Sequence, residues 1–218
     1  MLHNHEHARQ VARALLEVGA VTFRPQKPFQ WASGWLSPIY CDNRIILGYP
    51  KWREVVNDGL YRLVQARFPR GNAIAGVATA GIPQASMLAY RMGLPLAYVR
   101  DRAKQHGKQN RIEGALPEGA RVVVIEDLIS TGGSSAQAVD ALRERGYEVE
   151  GLLAIFSYGF EVARQTFAQR QLAFEVLTHW ETLISCAREE GHLSEADETT
   201  LAAWRANPEG WRPSVSPQ

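Results

Sequence analysis

The chain has few cysteines, no long apolar run and almost no net charge. Its two cysteines, Cys41 and Cys186, lie far apart and form neither a CxxC pair nor a zinc-ligand spacing. They read as reduced thiols of a cytoplasmic protein rather than a disulfide framework. Apolar runs such as Val122 to Ile125 span only a few residues, too few for a membrane-spanning helix. The first residues lack the basic, apolar and small-residue zones of a signal peptide. Lys and Arg total 24 against 23 Asp and Glu, a formal net charge of +1. That balance gives no global attraction to nucleic acid or to an anionic membrane. Internal repeats and low-complexity tracts are also missing. What remains is an ordinary globular composition, 45% apolar and 22% charged over 218 residues, which excludes a disordered or collagen-like chain. Such a chain buries a core without disulfides or metal. His3, His5 and His7 alternate near the start and read as a solvated leader rather than a metal grip. Pro213 to Gln218 reads as a loose tail.

Apolar periodicity alternates helices with strands. Helices are expected over His5–Val18, Pro50–Phe68, Ile82–Met92, Gly132–Arg145, Glu161–Gln169, Thr182–Glu190 and Ser194–Ala206. Strands are expected over Ala73–Ala78, Leu96–Val99, Arg121–Glu126, Val149–Phe156 and Phe174–Leu177. Pro25 to Pro38 reads as turns and short strands. Strands separated by helices of ten to fifteen residues imply right-handed crossovers and an α/β fold, a mostly parallel sheet flanked by helices. Ligands bind beyond the carboxyl ends of such strands, so the loops after Ala78, Val99, Glu126 and Phe156 are the places to look.

The strongest strand leads into Glu126-Asp127-Leu128-Ile129-Ser130-Thr131-Gly132-Gly133-Ser134. Two adjacent carboxylates are followed by hydroxyls, a glycine pair and a helix start. Glycines let the backbone approach an anion, and the open N–H groups of a helix start point at it. No lysine follows the glycines, so this is not a Walker A loop, and GxGxxG is absent. An ordinary helix cap would also use Ser or Thr here. The carboxylate pair shifts the balance, because carboxylates accept hydrogen bonds from sugar hydroxyls or hold a hydrated metal. Acids, anion cradle and helix start together fit a sugar phosphate. A second segment, Arg100 to Glu113, carries Arg100, Arg102, Lys104, His106, Lys108 and Arg111 against Asp101 and Glu113. With a glycine and no apolar period, it reads as a mobile loop: taken alone a solvated charged loop, and beside a sugar-phosphate site a cationic lid that would neutralise a leaving phosphate and exclude water.

The strand, acid pair and hydroxyl-glycine turn resemble the signature of the type I phosphoribosyltransferases. That resemblance implies binding of 5-phosphoribosyl 1-pyrophosphate (PRPP). Glu126 and Asp127 would hold the ribose hydroxyls, and Ile129, Ser130, Thr131, Gly132, Gly133 and Ser134 the 5′-phosphate, with Leu128 between them. The R-x3-K-x-H pattern of Arg100, Lys104 and His106 is similar to the lid of members that take orotate. So are Phe29 to Arg44 and Thr79-Ala80-Gly81-Ile82-Pro83. The implied reaction joins orotate to PRPP, giving orotidine 5′-monophosphate and pyrophosphate in pyrimidine biosynthesis. Arg100, Lys104, His106 and Asp127 would be its catalytic residues and Ser130 a contact to orotate. Mg²⁺ would be the cofactor, held mainly by substrate oxygens and water with no dedicated protein ligands. The resemblance also implies a homodimer whose lid reaches the partner's site, and one domain over 1–218. Within it a hood would comprise roughly residues 20–45 with part of the C-terminal region, and a core roughly 50–160.

The chain departs from some members at Ala32, Ala80 and Asp101, where a lysine is found. Ser157-Tyr158-Gly159-Phe160 also lacks the arginine that grips the orotate carboxylate. Ser130, backbone N–H groups and Arg44 are the candidates to replace it, Arg44 being equally readable as a structural ion pair. A phosphoribosyltransferase for another base, such as xanthine or uracil, shares the PRPP motif, as does a non-catalytic PRPP-sensing regulator. The lid and the Phe29–Arg44 segment favour orotate over the first. The absence of a helix-turn-helix in the opening residues disfavours the second.

Overall fold

The computed structural model of the protein describes residues 2–31, 34–100 and 111–213. The chain opens with α1 (Leu2–Glu17), then four short strands, β1 (Val21–Phe23), β2 (Phe29–Gln30), β3 (Leu36–Ser37) and β4 (Ile39–Cys41), and a 3-10 helix (Asn43–Gly48). Next come α2 (Pro50–Arg67), β5 (Ala73–Val77), α3 (Gly81–Met92), β6 (Leu96–Val99) and β7 (Ile112–Gly114). They are followed by β8 (Arg121–Ile129), α4 (Gly133–Glu144), β9 (Glu148–Ser157), α5 (Glu161–Ala168), β10 (Phe174–His179), α6 (Trp180–Glu189) and α7 (Glu195–Ala206). Local chemistry sets several of these limits. Pro50 stands in the first turn of α2, where its missing N–H costs nothing. Gly93 ends α3 in the left-handed region. Ser194 and Asp197 close a capping box on α7, with the Asp197 N–H donating to Ser194 Oγ at 3.2 Å.

Six strands form one sheet in the order β10-β9-β8-β5-β6-β7, parallel except for the edge pair β6–β7. Its central strands are buried on both faces, which explains their near-continuous apolar sequence. Ile74, Val123, Ile125, Leu153 and Ile155 pack on the face that carries α3, α2 and α1. Ala73, Ala75, Val122, Val124, Leu152 and Ala154 pack on the other, under α4 and α5. The helix after β5 and the helix after β8 therefore leave adjacent strands for opposite faces. Their loops part there, at the topological switch where open α/β sheets bind ligands.

The expected α/β architecture is present, with three differences of detail. The strongest strand runs on through the acid pair to Ile129, because β9 keeps pairing with it as far as Ile129↔Ser157. β7 falls inside what read as a loop, only three residues pairing antiparallel with β6. The opening histidines belong to α1, and His7 is half-buried against α2 rather than solvated, its Nε2 enclosed. The β1–β4 and β2–β3 hairpins stand apart from the main sheet. Trp31 packs against Trp35, Tyr158, Phe160 and Trp204, and Trp204 Nε1 donates to the Leu36 carbonyl at 2.9 Å. The C-terminal helix α7 thus fixes the β2–β3 hairpin beside the end of β9.

Candidate active site

β5 pairs with β8 only as far as Ile125, so β8 continues past it with β9 as its sole strand neighbour among the described residues. Glu126 and Asp127 occupy that overhang. The two carboxyls lie against each other and share a side-chain hydrogen bond. Glu126 is 5% exposed. Its carboxyl accepts from Ser135 Oγ at 3.2 Å, from Ser134 Oγ at 3.4 Å and from the Asp127 N–H at 3.1 Å. Burial, with the Asp127 carboxylate beside it, pushes Glu126 well above the usual carboxylate range. Burial also raises Asp127, which lies nearer the surface.

Ser130, Thr131 and Gly132 turn the chain from β8 into α4. Gly132 is the N-cap residue, with φ +78° and no side-chain cap. A Cβ there would lie 2.8 Å from the Phe167 ring, so both conformation and space require glycine. The first N–H groups of α4 therefore stay open toward the turn, and Gly133 and Ser134 are exposed above it. The ordinary Ser/Thr cap is not made, which leaves the arrangement an anion cradle. The Ile129 side chain is buried under α4 and its carbonyl accepts from the Tyr158 N–H at 3.1 Å. Leu128 is half-buried against the opposite core.

The β5–α3 turn closes the other side. A Cβ on Gly81 would stand 2.4 Å from the Ile125 carbonyl oxygen, so only glycine lets this turn lie against β8 just before the acid pair. The Ala78–Thr79 peptide of the same turn is cis. Arg100 ends β6, one strand beyond β5. Its N–H donates to the Arg111 carbonyl at 2.8 Å, and Arg111 Nε donates back to the Arg100 carbonyl at 3.2 Å. Arg100 Nη1 stands 3.5 Å from the Glu113 carboxylate. Lys104 and His106 lie outside the described residues. One end of the sheet thus brings together Glu126, Asp127, Ser130 to Ser134, the Thr79–Gly81 turn and Arg100.

Two contributors carry no local sequence signal. Arg205 of α7 donates through Nε to the Tyr158 carbonyl at 2.8 Å and through Nη2 to Gly159 at 3.4 Å and Glu181 at 2.8 Å. A guanidinium does reach the loop after β9, from 46 residues away, but it is spent on holding the loop's carbonyls. Asn43 donates to the Asp127 carbonyl from the 3-10 helix. Arg44 is in a two-point ion pair with Asp42, Nε–Oδ1 2.7 Å and Nη2–Oδ2 2.8 Å, which is the structural alternative.

Residues 52–183 match the family model described as phosphoribosyl transferase domain. The orotate phosphoribosyltransferase of Staphylococcus aureus is 52% identical over 200 residues, 92% of this chain and 98% of that protein. That of Cytophaga hutchinsonii is 47% identical over 206 residues, 94% and 99% of the two chains. The crystal structure of orotate phosphoribosyltransferase from Aeropyrum pernix superposes with a TM-score of 0.73 at 34% identity, covering 84% of this chain and 99% of that one. An acid pair beside an uncapped helix start, at the switch point of a parallel sheet, and relatives matched over nearly their full length lead to one assignment: the chain belongs to the phosphoribosyltransferase family, among its orotate phosphoribosyltransferases.

Proposed function

We propose that the chain transfers the 5-phosphoribosyl group of PRPP to orotate, releasing pyrophosphate and orotidine 5′-monophosphate. The observation that carries this reading is the uncapped α4 N-terminus with Asp127 beside it in the switch-point crevice. The 5′-phosphate sits on the N–H groups and hydroxyls of Ser130 to Ser134, where the helix dipole favours negative charge. Asp127 accepts from the ribose hydroxyls, and Glu126 stands behind it. Orotate N1 attacks the ribose C1 as the C1–O bond to pyrophosphate breaks, with inversion through a cation-like transition state. Positioning and electrostatics supply the rate, and no protein nucleophile is needed. Arg100, Lys104 and His106 balance the charge growing on pyrophosphate. The orotate carboxylate is met by Ser130 and by main-chain N–H groups outside the phosphate cradle.

Among the described residues no group of three or more His, Cys, Asp or Glu side chains is placed to hold a metal ion. The donors present are hard oxygens, Asp127 and the turn hydroxyls, which fit a Mg²⁺ ion carried in largely by substrate oxygens. When bound, that ion neutralises diphosphate charge. We place the hood at β1–β4 with part of the C-terminal helices. The working unit is proposed to be a homodimer, with the lid of one subunit over the partner's site.

Orotate absorbance in the ultraviolet, followed with protein, PRPP and Mg²⁺, tests the reading. A decrease that needs all three is expected. No decrease while PRPP still binds by calorimetry would discard orotate and keep the cradle, sending the search to other bases.

A further inference from the structure

Past the last β5 rung, the main chain of Asp127 has no strand on its open side among the described residues, since the β5–β8 register ends at Gly76↔Ile125. Both of its polar groups are met by side chains. The N–H donates to Glu126 Oε1 at 3.1 Å, and the carbonyl accepts from Asn43 Nδ2 at 2.7 Å. Asn43 is 1% exposed and comes from the 3-10 helix, 84 residues earlier. Its amide orientation is set by Cys41, whose Sγ–H donates to Asn43 Oδ1 at 3.1 Å. The turn that presents it is set by Asp42, which caps the 3-10 helix by accepting from the Arg44 N–H at 3.1 Å. An amide is the side chain that accepts from a thiol at one atom and donates to a carbonyl at the other. Aspartate at 43 would turn a carboxylate oxygen toward that carbonyl, and alanine would leave it without a donor.

We propose that Asn43 is a positioning residue for PRPP: it fixes the main chain at Asp127 and so aims the Asp127 carboxylate into the crevice. The inference rests on the ribose reading of Asp127. It also gives the Cys41-Asp42-Asn43-Arg44 stretch a task other than contact with the base. Asn43 acts through Asp127, so its loss falls on PRPP and spares orotate.

The test compares wild type, Asn43→Ala and the isosteric Asn43→Asp by PRPP calorimetry with Mg²⁺, by KM for each substrate, and by circular dichroism and melting temperature. Both variants are expected to raise PRPP Kd and KM by roughly tenfold, with orotate KM within about twofold of wild type, a split that mere loss of folded protein does not produce. In an Asp127→Asn background, adding Asn43→Ala is expected to weaken PRPP by less than about twofold more, because two residues acting through one contact are not additive. Normal PRPP affinity in a folded variant overturns the proposal, and so does additivity in the double variant. If neither variant folds, Asn43 is a folding residue and the proposal is also overturned. Failure of the wild-type protein to bind PRPP removes the underlying reading instead.

Discussion

Glu126 is the one carboxylate or cation among the described residues that is buried outright. Its partners are two serine hydroxyls, the Asp127 main-chain N–H and the Asp127 carboxyl, with no cation among them. Two adjacent carboxyls out of water do not both ionise easily, and the deeper one keeps its proton to higher pH. The sign for stability follows from the raised native value. Below the ordinary glutamate pKa, about 4.3, both folded and unfolded chains hold the proton and the contribution is fully present. Above it the unfolded chain releases the proton, and the contribution is lost as pH climbs through the native value. Glu126→Gln keeps the shape and cannot ionise. Its melting temperature relative to wild type, without PRPP, is expected to rise over the window above the ordinary glutamate pKa. A difference that stays flat across that window would mean Glu126 is ionised in the free protein.

At the scale of elements, α7 is the piece that joins the hairpin to the sheet. Trp204 is fully buried, sits edge-on to Trp31, Tyr158 and Phe160, and hydrogen-bonds Leu36. Trp204→Ala is expected to cost about 3–5 kcal/mol in urea unfolding. Trp204→Phe keeps most of the apolar contact, loses the N–H and is expected to cost about 1–2 kcal/mol. Equal losses in the two variants would place the whole effect in the hydrogen bond. None of this was legible in sequence, where Trp204 is one more apolar position on an amphipathic helix. The helices and central strands were legible because their burial is periodic. The acid pair and turn were legible because all their parts are contiguous. β8 outruns its sequence signal because Glu126 and Asp127 break its apolar run, and β7 gives no signal because three residues carry no period. Asn43 and Arg205 reach main-chain carbonyls 84 and 46 residues away, and no local pattern records such a contact.

For the molecule as a whole, the cationic segment leaves and rejoins the sheet at its edge. Arg100 and Arg111 pin its two ends together at the edge of the sheet, beside β6 and β7 and separated from β8 by β5. Lys104 is the proposed charge partner of pyrophosphate and Asp127 the proposed ribose ligand. Lys104→Ala and Asp127→Asn are each expected to lower turnover well over tenfold, at least about 1.4 kcal/mol of transition-state stabilisation. Mixing the two variants discriminates the arrangements. If the lid serves its own subunit, every site in a mixed dimer still lacks one group, and the mixture stays as inactive as its parts. If the lid crosses a two-fold interface, each mixed dimer holds one site with both groups intact and one with neither. Random exchange of subunits then restores about a quarter of the wild-type rate, since about half the dimers are mixed and half their sites are whole. Recovery that grows with exchange time, and is absent when the variants are assayed before exchange, is the expected result. An inactive mixture with subunit exchange demonstrated independently would place the lid in its own subunit's site.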